Sequence, residues 1–147
     1  MTRIHIANEK DTEKLGENIG QKVQPGTVIA LIGDLGTGKT TLTKSIARGL
    51  GVTETVTSPT FNIIREYKSG KLPLYHFDVY RIGDPDEMFE LGYEEYFYGD
   101  GVCVVEWADI IEELLPEDAV VITIDRGASD EEREYEIEGA AEDLCIF

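Results

Sequence analysis

The chain has 147 residues, a length that predicts one domain over residues 1–147 and excludes a multidomain motor. It contains 30 Asp and Glu against 13 Lys and Arg, and its formal net charge is −17 at pH 7. Because 41% of the residues are hydrophobic, the chain is not a disordered acidic tail. A surface this negative repels phosphate backbones, so we expect no direct, high-affinity nucleic-acid binding; any such role would run through a partner.

The cysteine content and the amino-terminal sequence predict a cytoplasmic protein. Cys103 and Cys145 form no disulfide framework and have no spacing to histidine that is typical of a metal site. Residues 1–10 lack the charged start and apolar run of a secretion signal. No stretch approaches the roughly 18 apolar residues that a membrane span requires. We therefore expect a soluble protein without a membrane partner.

The first third of the chain predicts a strand, a helix, a second strand, a loop and a second helix. Residues 3–7 alternate apolar and polar side chains, and Asn8 is placed to cap the helix that follows. A proline–glycine pair ends that helix before an apolar strand at residues 27–32. The second helix begins at Lys39, and Gly49 and Gly51 are both available to end it.

The remaining two thirds predict a hairpin followed by alternating helical turns and strands. Residues 61–67 and 72–77 are expected to pair in antiparallel fashion. An acidic segment after residue 125 is expected to be a solvated face. The other expected elements are helical turns at 84–98 and 110–115 and strands at 102–105, 120–124 and 135–138, the last as an edge strand.

Residues 33–40 satisfy the phosphate-loop pattern G-x-x-x-x-G-K-[ST] in full, between the predicted strand and helix. The glycines permit a loop in which successive N–H groups surround an anion, and the helix N-terminus adds positive potential. The Lys39 ammonium would bridge the β- and γ-phosphates, and the Thr40 hydroxyl would bind Mg²⁺. The expected nucleotide-binding residues here are Gly33, Asp34, Leu35, Gly36, Thr37, Gly38, Lys39, Thr40 and Thr41.

Two carboxylates are candidates to complete the metal site. Asp78 and Glu106 each end a largely apolar predicted strand, and α/β sheets bind ligands at the carboxyl ends of their strands. We expect Asp78 to hold the metal or its water shell, and Glu106 to contact the metal or orient the attacking water. The predicted metal set is Thr40, Asp78 and Glu106, and the predicted catalytic set is Lys39, Asp78 and Glu106.

Several other residues have two interpretations from sequence alone. Ser58 and Thr60 belong either to a segment that senses the γ-phosphate or to a simple turn before a strand. Arg81 either compensates phosphate charge or forms a surface ion pair. Trp107 is either a core residue or a lid or partner contact beside Glu106. His76 is expected to be a satisfied core or strand histidine.

The motifs found elsewhere in the chain also distinguish between classes of P-loop protein. The chain has neither the Asn-Lys-x-Asp guanine reader nor the Asp-x-x-Gly switch of a GTPase, which disfavours GTP. A small-molecule kinase would need an arginine-bearing lid, and the arginines after the phosphate loop are widely separated. That alternative stays open, as does a nucleotide-gated binding module in which hydrolysis is incidental.

Four segments together carry a resemblance to a known family. They read Gly-Asp-Leu-Gly-Thr-Gly-Lys-Thr-Thr at 33–41, Ser-Pro-Thr-Phe at 58–61, His-Phe-Asp-Val-Tyr-Arg at 76–81 and Val-Glu-Trp at 105–107. In this order and spacing, over essentially the whole chain, they resemble the TsaE family, whose older name is YjeE. The resemblance implies an ATPase, using ATP and Mg²⁺, that is required for making threonylcarbamoyladenosine next to the anticodon of bacterial tRNA. It also implies a complex with the TsaD and TsaB proteins.

The family pattern transfers to this sequence position by position. Lys39 matches the phosphate-loop lysine, Thr40 the magnesium hydroxyl, and Asp78 and Glu106 the acids on the metal side, with Trp107 following the second acid. The expected fold is α/β: a P-loop NTPase-like three-layer sandwich with a mixed, mostly parallel sheet containing an antiparallel hairpin.

Three positions match the family less closely. Thr37 stands where many members have alanine. Glu9 falls near an amino-terminal position that approaches the nucleotide in relatives, and Arg133 is a further candidate.

The aromatic residues of the 88–98 segment are expected to pack in the core rather than to form a partner interface.

Overall fold

The computed structural model describes residues 2–33, 38–57, 63–80 and 82–139, and within them seven strands form one sheet. The sheet order is β1-β7-β6-β2-β5-β4-β3. The strands are β1 (Thr2–Ile6), β2 (Val28–Ile32), β3 (Ile64–Tyr67), β4 (Leu74–Asp78), β5 (Val102–Glu106), β6 (Val120–Arg126) and β7 (Arg133–Glu138).

The centre of this sheet is parallel and its flanks are antiparallel. Strands β6, β2, β5 and β4 run in parallel, β1 and β7 form an antiparallel flank on one side, and β3 pairs antiparallel with β4 on the other. Strands β2 and β5 are buried along almost their whole length, as their continuous apolar runs predict. The mixed sheet with its hairpin is confirmed.

Helices cover both faces. They are α1 (Glu9–Lys22), α2 (Lys39–Leu50), α3 (Asp86–Glu90), α4 (Tyr93–Phe97) and a 3-10 helix, Ala108–Leu114. The side chain of Asn8 caps α1 by accepting a hydrogen bond from the Asp11 amide at 3.1 Å. Gly51 ends α2 with a φ of 82°, a conformation that glycine adopts without strain.

The sheet separates two hydrophobic cores, which confirms the three-layer architecture. On one face, α1 and α2 pack their apolar stripes, including Leu15 and Leu42, against the central strands. On the other face, α3, α4 and the 3-10 helix contribute Met88, Phe97 and Ile111. Successive strand residues point to opposite faces, so each central strand serves both cores.

Two sequence expectations differ from the structure, the edge position of β7 and the burial of all the aromatic residues at 88–98. Strand β7 lies inside the sheet rather than at an edge, because β1 pairs along its outer side. The expected helical turns at 84–98 form two short helices, separated at Gly92, whose φ is 69°. In that segment Tyr93 and Phe97 are buried as expected, whereas Phe89 and Tyr98 are exposed. No helix within the described ranges is long and apolar enough to span a membrane.

Candidate functional site

The candidate site lies at the carboxyl ends of three neighbouring parallel strands. Strand β5 lies between β2 and β4, and Glu106 at its end is in register with Leu31 on one side and Asp78 on the other. Helix α2 begins at Lys39, shortly after β2 ends. The helix N-terminus and the two acids are therefore brought together, as the sequence predicts from strand-end positions.

Lys39 is held between the end of β2 and an aromatic ring. Its Nζ donates a hydrogen bond to the Gly33 carbonyl oxygen at 2.6 Å and lies 4.1 Å from the centre of the Trp107 ring. The residue is only 5% exposed, which is unusual for lysine. Gly38, directly before it, has a φ of 102° that L side chains rarely adopt. The ammonium is thus fixed beside the phosphate-loop segment.

Glu106 is buried and accepts hydrogen bonds from two sides. The Thr40 hydroxyl donates to Glu106 Oε1 at 3.2 Å, and His76 Nε2 lies 2.5 Å from Glu106 Oε2. The residue is 3% exposed. A carboxylate buried to this degree requires such donors, because its transfer from water is otherwise very costly. The predicted metal ligands Thr40 and Glu106 are therefore in direct contact.

His76 differs from the satisfied core histidine that the sequence predicts. It is fully buried, but its Nδ1 has no hydrogen-bond partner among the described residues. A buried N–H without a partner costs about 1–3 kcal/mol, whereas a lone pair is more easily left unpaired. We therefore assign the proton to Nε2, which donates to Glu106. The sequence contained the signal, since His76 precedes Asp78 by two positions and points to the same face.

Asp78 lies beside Glu106 without the same enclosure. Its Oδ1 accepts a hydrogen bond from the Tyr80 amide at 3.1 Å. Partial burial, reinforced by the neighbouring Glu106 carboxylate, raises the pKa of Asp78 above its usual value, although the Tyr80 amide and the Lys39 ammonium oppose this shift. A cation at this position would relieve the repulsion between the two carboxylates.

Trp107 forms the outer wall of the site rather than part of the deep core. Its φ is 62°, a left-handed conformation that no other non-glycine residue adopts within the described ranges. Besides covering Lys39, its ring lies 4.7 Å from that of Tyr80, which is 56% exposed. Its ring also packs, partly buried, against the core formed with α3, α4 and the 3-10 helix, so Trp107 lies between that core and Lys39.

A cavity of about 220 Å³ opens beside the start of α2. Glu9 and Arg133, two loosely placed candidates, both line it, together with Thr41 of the expected nucleotide set. Sequence reasoning missed Thr12, and it assigned Asp130 and Glu131 only to a solvated face. These residues line one cavity because α1, α2 and the segment before β7 pack together, and no local sequence pattern reveals that packing.

Several predicted residues lie outside the part of the chain that the structure describes. They are Asp34, Leu35, Gly36, Thr37, Ser58, Thr60 and Arg81. The described chain before Ser58 is anchored at Thr57, whose backbone N–H and carbonyl both bond to the hydroxyl of Tyr67, at 3.1 and 3.2 Å.

The donor set fits Mg²⁺. Thr40, Asp78 and Glu106 present oxygen atoms, which are the ligands that this hard cation prefers. Within the described ranges no group of three or more His, Cys, Asp and Glu side chains forms a metal cage. Mg²⁺ is commonly held by one or two protein oxygens together with substrate phosphates, and the present arrangement suits that mode.

Comparisons with known proteins establish the family. The family model described as "Threonylcarbamoyl adenosine biosynthesis protein TsaE" matches residues 6–135. The chain belongs to the TsaE family. A Bacillus subtilis relative, named tRNA threonylcarbamoyladenosine biosynthesis protein TsaE, is 54% identical over 86% of this chain and 78% of its own length. A Treponema pallidum relative of the same name is 41% identical over 87% of this chain and 93% of its own.

A solved structure supports the same assignment. The crystal structure of Bacillus subtilis YdiB is similar to this chain with a TM-score of 0.84 and 44% sequence identity. The match covers 98% of this chain and 90% of that one. The resemblance inferred from the four sequence segments is confirmed.

Proposed function

We propose that this chain is a Mg²⁺-dependent ATPase that serves tRNA threonylcarbamoyladenosine biosynthesis in the cytoplasm and acts through the TsaB and TsaD proteins. The biosynthetic role follows from family membership. The contact of Thr40 with Glu106, beside the Lys39 ammonium, carries the proposal for hydrolysis. It combines a phosphate-binding amine, a metal-binding hydroxyl and a carboxylate in one place.

Each of these groups has a defined task in phosphoryl transfer. Lys39 would stabilise the charge that develops on the β- and γ-phosphates, and Thr40 and Asp78 would hold a metal ion that supplies further positive charge there. Glu106 accepts a hydrogen bond from the attacking water or binds the metal. Because Lys39 is already fixed by Gly33 and Trp107, little side-chain entropy remains to be lost when ATP binds.

The cavity beside α2 supports a nucleoside site. It adjoins Thr41 and offers hydroxyl, carboxylate and guanidinium groups to a ribose or a base. The absence of a guanine-reading motif from the sequence favours ATP over GTP.

The charge of the chain supports action through partners. A net charge of −17 opposes direct binding to a tRNA backbone, although the proposed pathway modifies tRNA. The RNA contact is therefore assigned to TsaB and TsaD, and this chain supplies the energy-coupling step.

Replacing the phosphate-loop lysine provides the first test. Lys39→Ala is expected to abolish thermal stabilisation by Mg²⁺ and ATP and to lower ATP turnover in the presence of TsaB and TsaD by at least about 100-fold. Lys44→Ala, an exposed lysine on the same helix, is the matched control and should behave like the wild type. Normal tRNA modification with Lys39→Ala, or stabilisation of the wild type by GTP rather than ATP, would contradict the proposal.

Glu106→Gln separates an ATPase from a nucleotide-gated binding module. The variant retains the shape of the side chain but removes its charge, so we expect it to bind ATP and the partners yet to support no repeated rounds of modification. Multiple turnovers of modified tRNA per variant molecule would favour the binding module.

A further inference from the structure

His76 contacts Glu106 because of strand order and register. Strands β4 and β5 are parallel neighbours, and His76 is in register with Val104, two positions before Glu106. Both side chains project to the face of the sheet that carries α2. They meet with Nε2 2.5 Å from Oε2, at side-chain exposures of 0% and 4%. The pair is enclosed by protein rather than screened by water.

The two donors to Glu106 have different availability once nucleotide is bound. The Thr40 hydroxyl bonds to Oε1, but a metal at the phosphate loop would require that hydroxyl as a ligand. A metal at the phosphate loop would not require His76 as a ligand. Its Nε2–H lies on the buried strand β4 and can therefore keep its hydrogen bond to Glu106. His76 is therefore the donor that stays with Glu106.

We propose that His76 is a positioning residue that holds the Glu106 carboxylate in its working orientation during ATP hydrolysis. The imidazole acts through Glu106 and contacts neither the nucleotide nor the water. A hydrogen bond to one oxygen of a carboxylate fixes the orientation of the whole group, and so the direction of its other oxygen. The inference rests on the proposed ATPase function, and it extends that function to a residue outside the phosphate loop and the two predicted acids.

Two amide variants differ in reach and test the hydrogen bond. In His76→Gln the amide nitrogen takes about the place of Nε2 and can still donate to Glu106, whereas in His76→Asn it takes about the place of Nδ1 and falls short. We expect His76→Asn to lower kcat for ATP by about 10-fold or more while KM changes by less than about 2-fold, and His76→Gln to restore most of kcat.

Cys103→Ala controls for loss of stability. Cys103 is equally buried, lies on β5 and points to the opposite face, where its Sγ donates to the Tyr96 carbonyl. Its variant should lower the melting temperature without lowering kcat. The positioning role is overturned if His76→Asn and Cys103→Ala lower kcat alike, or if His76→Asn raises KM instead of lowering kcat. It is also overturned if folded His76→Gln has no more activity than His76→Asn.

A second readout needs no nucleotide. Trp107 is the only tryptophan of the chain, and the centre of its ring lies 4.1 Å from Nζ of Lys39, the neighbour of Thr40, whose hydroxyl donates to Glu106; its fluorescence therefore reports on rearrangement of this group of side chains. His76→Asn should change the emission of the ligand-free protein, whereas His76→Gln and Cys103→Ala should preserve it. An unchanged spectrum in His76→Asn would overturn the positioning role. A wild-type protein without ATP turnover even in the presence of TsaB and TsaD would overturn the proposed function and leave this spectroscopic comparison valid.

Discussion

Two carboxylates end adjacent strands at the candidate site, and their environments differ. Glu106 is enclosed and receives hydrogen bonds from His76 and Thr40, whereas Asp78 is only partly buried and bonds to the backbone of Tyr80. Partial burial, with the Glu106 charge, raises the pKa of Asp78. Asp78 therefore carries an electrostatic cost in the ligand-free protein that a bound cation would offset.

This cost gives a pH-dependent prediction for Asp78→Asn. An acid with a raised pKa in the folded chain binds more protons there than in the unfolded chain, so its stability contribution falls as pH rises between the two pKa values. Without ligand, the variant should melt at a higher temperature than the wild type at neutral pH, and the difference should shrink below pH about 4.

Thermal melts across this pH range, without and with Mg²⁺ and ATP, check the prediction. With the ligands the advantage of Asp78→Asn should disappear, because the substitution removes a carboxylate oxygen from the proposed metal site. Asp118→Asn, at an exposed carboxylate just before β6, is the control and should keep the stabilisation by Mg²⁺ and ATP. A ligand-free Asp78→Asn variant that is less stable than the wild type at neutral pH would contradict the assignment.

At the scale of elements, the contact between α1 and α2 positions the helix that begins at Lys39. The two backbones approach so closely that a Cβ added at Gly20 would lie 2.2 Å from the Ile46 carbonyl oxygen and 2.8 Å from Gly49 Cα. A Cβ at Gly49 would in turn lie 2.3 Å from the Glu17 carbonyl oxygen. These glycines are required by helix packing rather than by a turn.

Gly20→Ala is therefore expected to reverse the usual effect of this substitution. In an unobstructed helix alanine gains about 1 kcal/mol over glycine. Here the methyl group forces the helices apart, and we expect a net loss of about 1–3 kcal/mol in the free energy of unfolding. Urea denaturation measures the loss. Gly83→Ala, where the nearest atom lies 3.7 Å from the added Cβ, is the control and should be near neutral.

At the scale of the whole molecule, an excess of 17 negative charges opposes compaction. The 13 Lys and Arg cannot pair with most of the 30 acids, so carboxylates repel one another across the surface. The same field weakens at moderate salt, because the Debye length falls to about 8 Å at physiological ionic strength.

We therefore expect the melting temperature of the ligand-free protein to rise as salt is added at neutral pH. NaCl and KCl should act alike, since screening depends on ionic strength rather than on the identity of the monovalent cation. Differential scanning fluorimetry at matched ionic strengths measures the effect. A melting temperature that stays constant or falls would show that self-repulsion does not limit stability.

Local signals in the sequence were sufficient for most elements. The cap at Asn8, the end of α2 at Gly51 and the apolar runs of β2 and β5 depend on neighbours within a few residues, and the structure places these elements as predicted. The phosphate-loop pattern likewise singled out Lys39 and Thr40 as candidate site residues at the start of a helix. This was possible because the spacing of the pattern is set by consecutive residues of one loop.

Contacts between distant segments were decided by the tertiary structure. The internal place of β7, the cavity lined by Glu9 and Arg133, and the bond between His76 and Glu106 depend on strand order, register and helix packing. A histidine in an apolar strand has the same local pattern whether it faces a hydrophobic core or a neighbouring strand's carboxylate. Local sequence thus nominated the residues that we propose carry the chemistry, and packing decided which of them touch, because side-chain adjacency across a sheet arises only when the strands assemble.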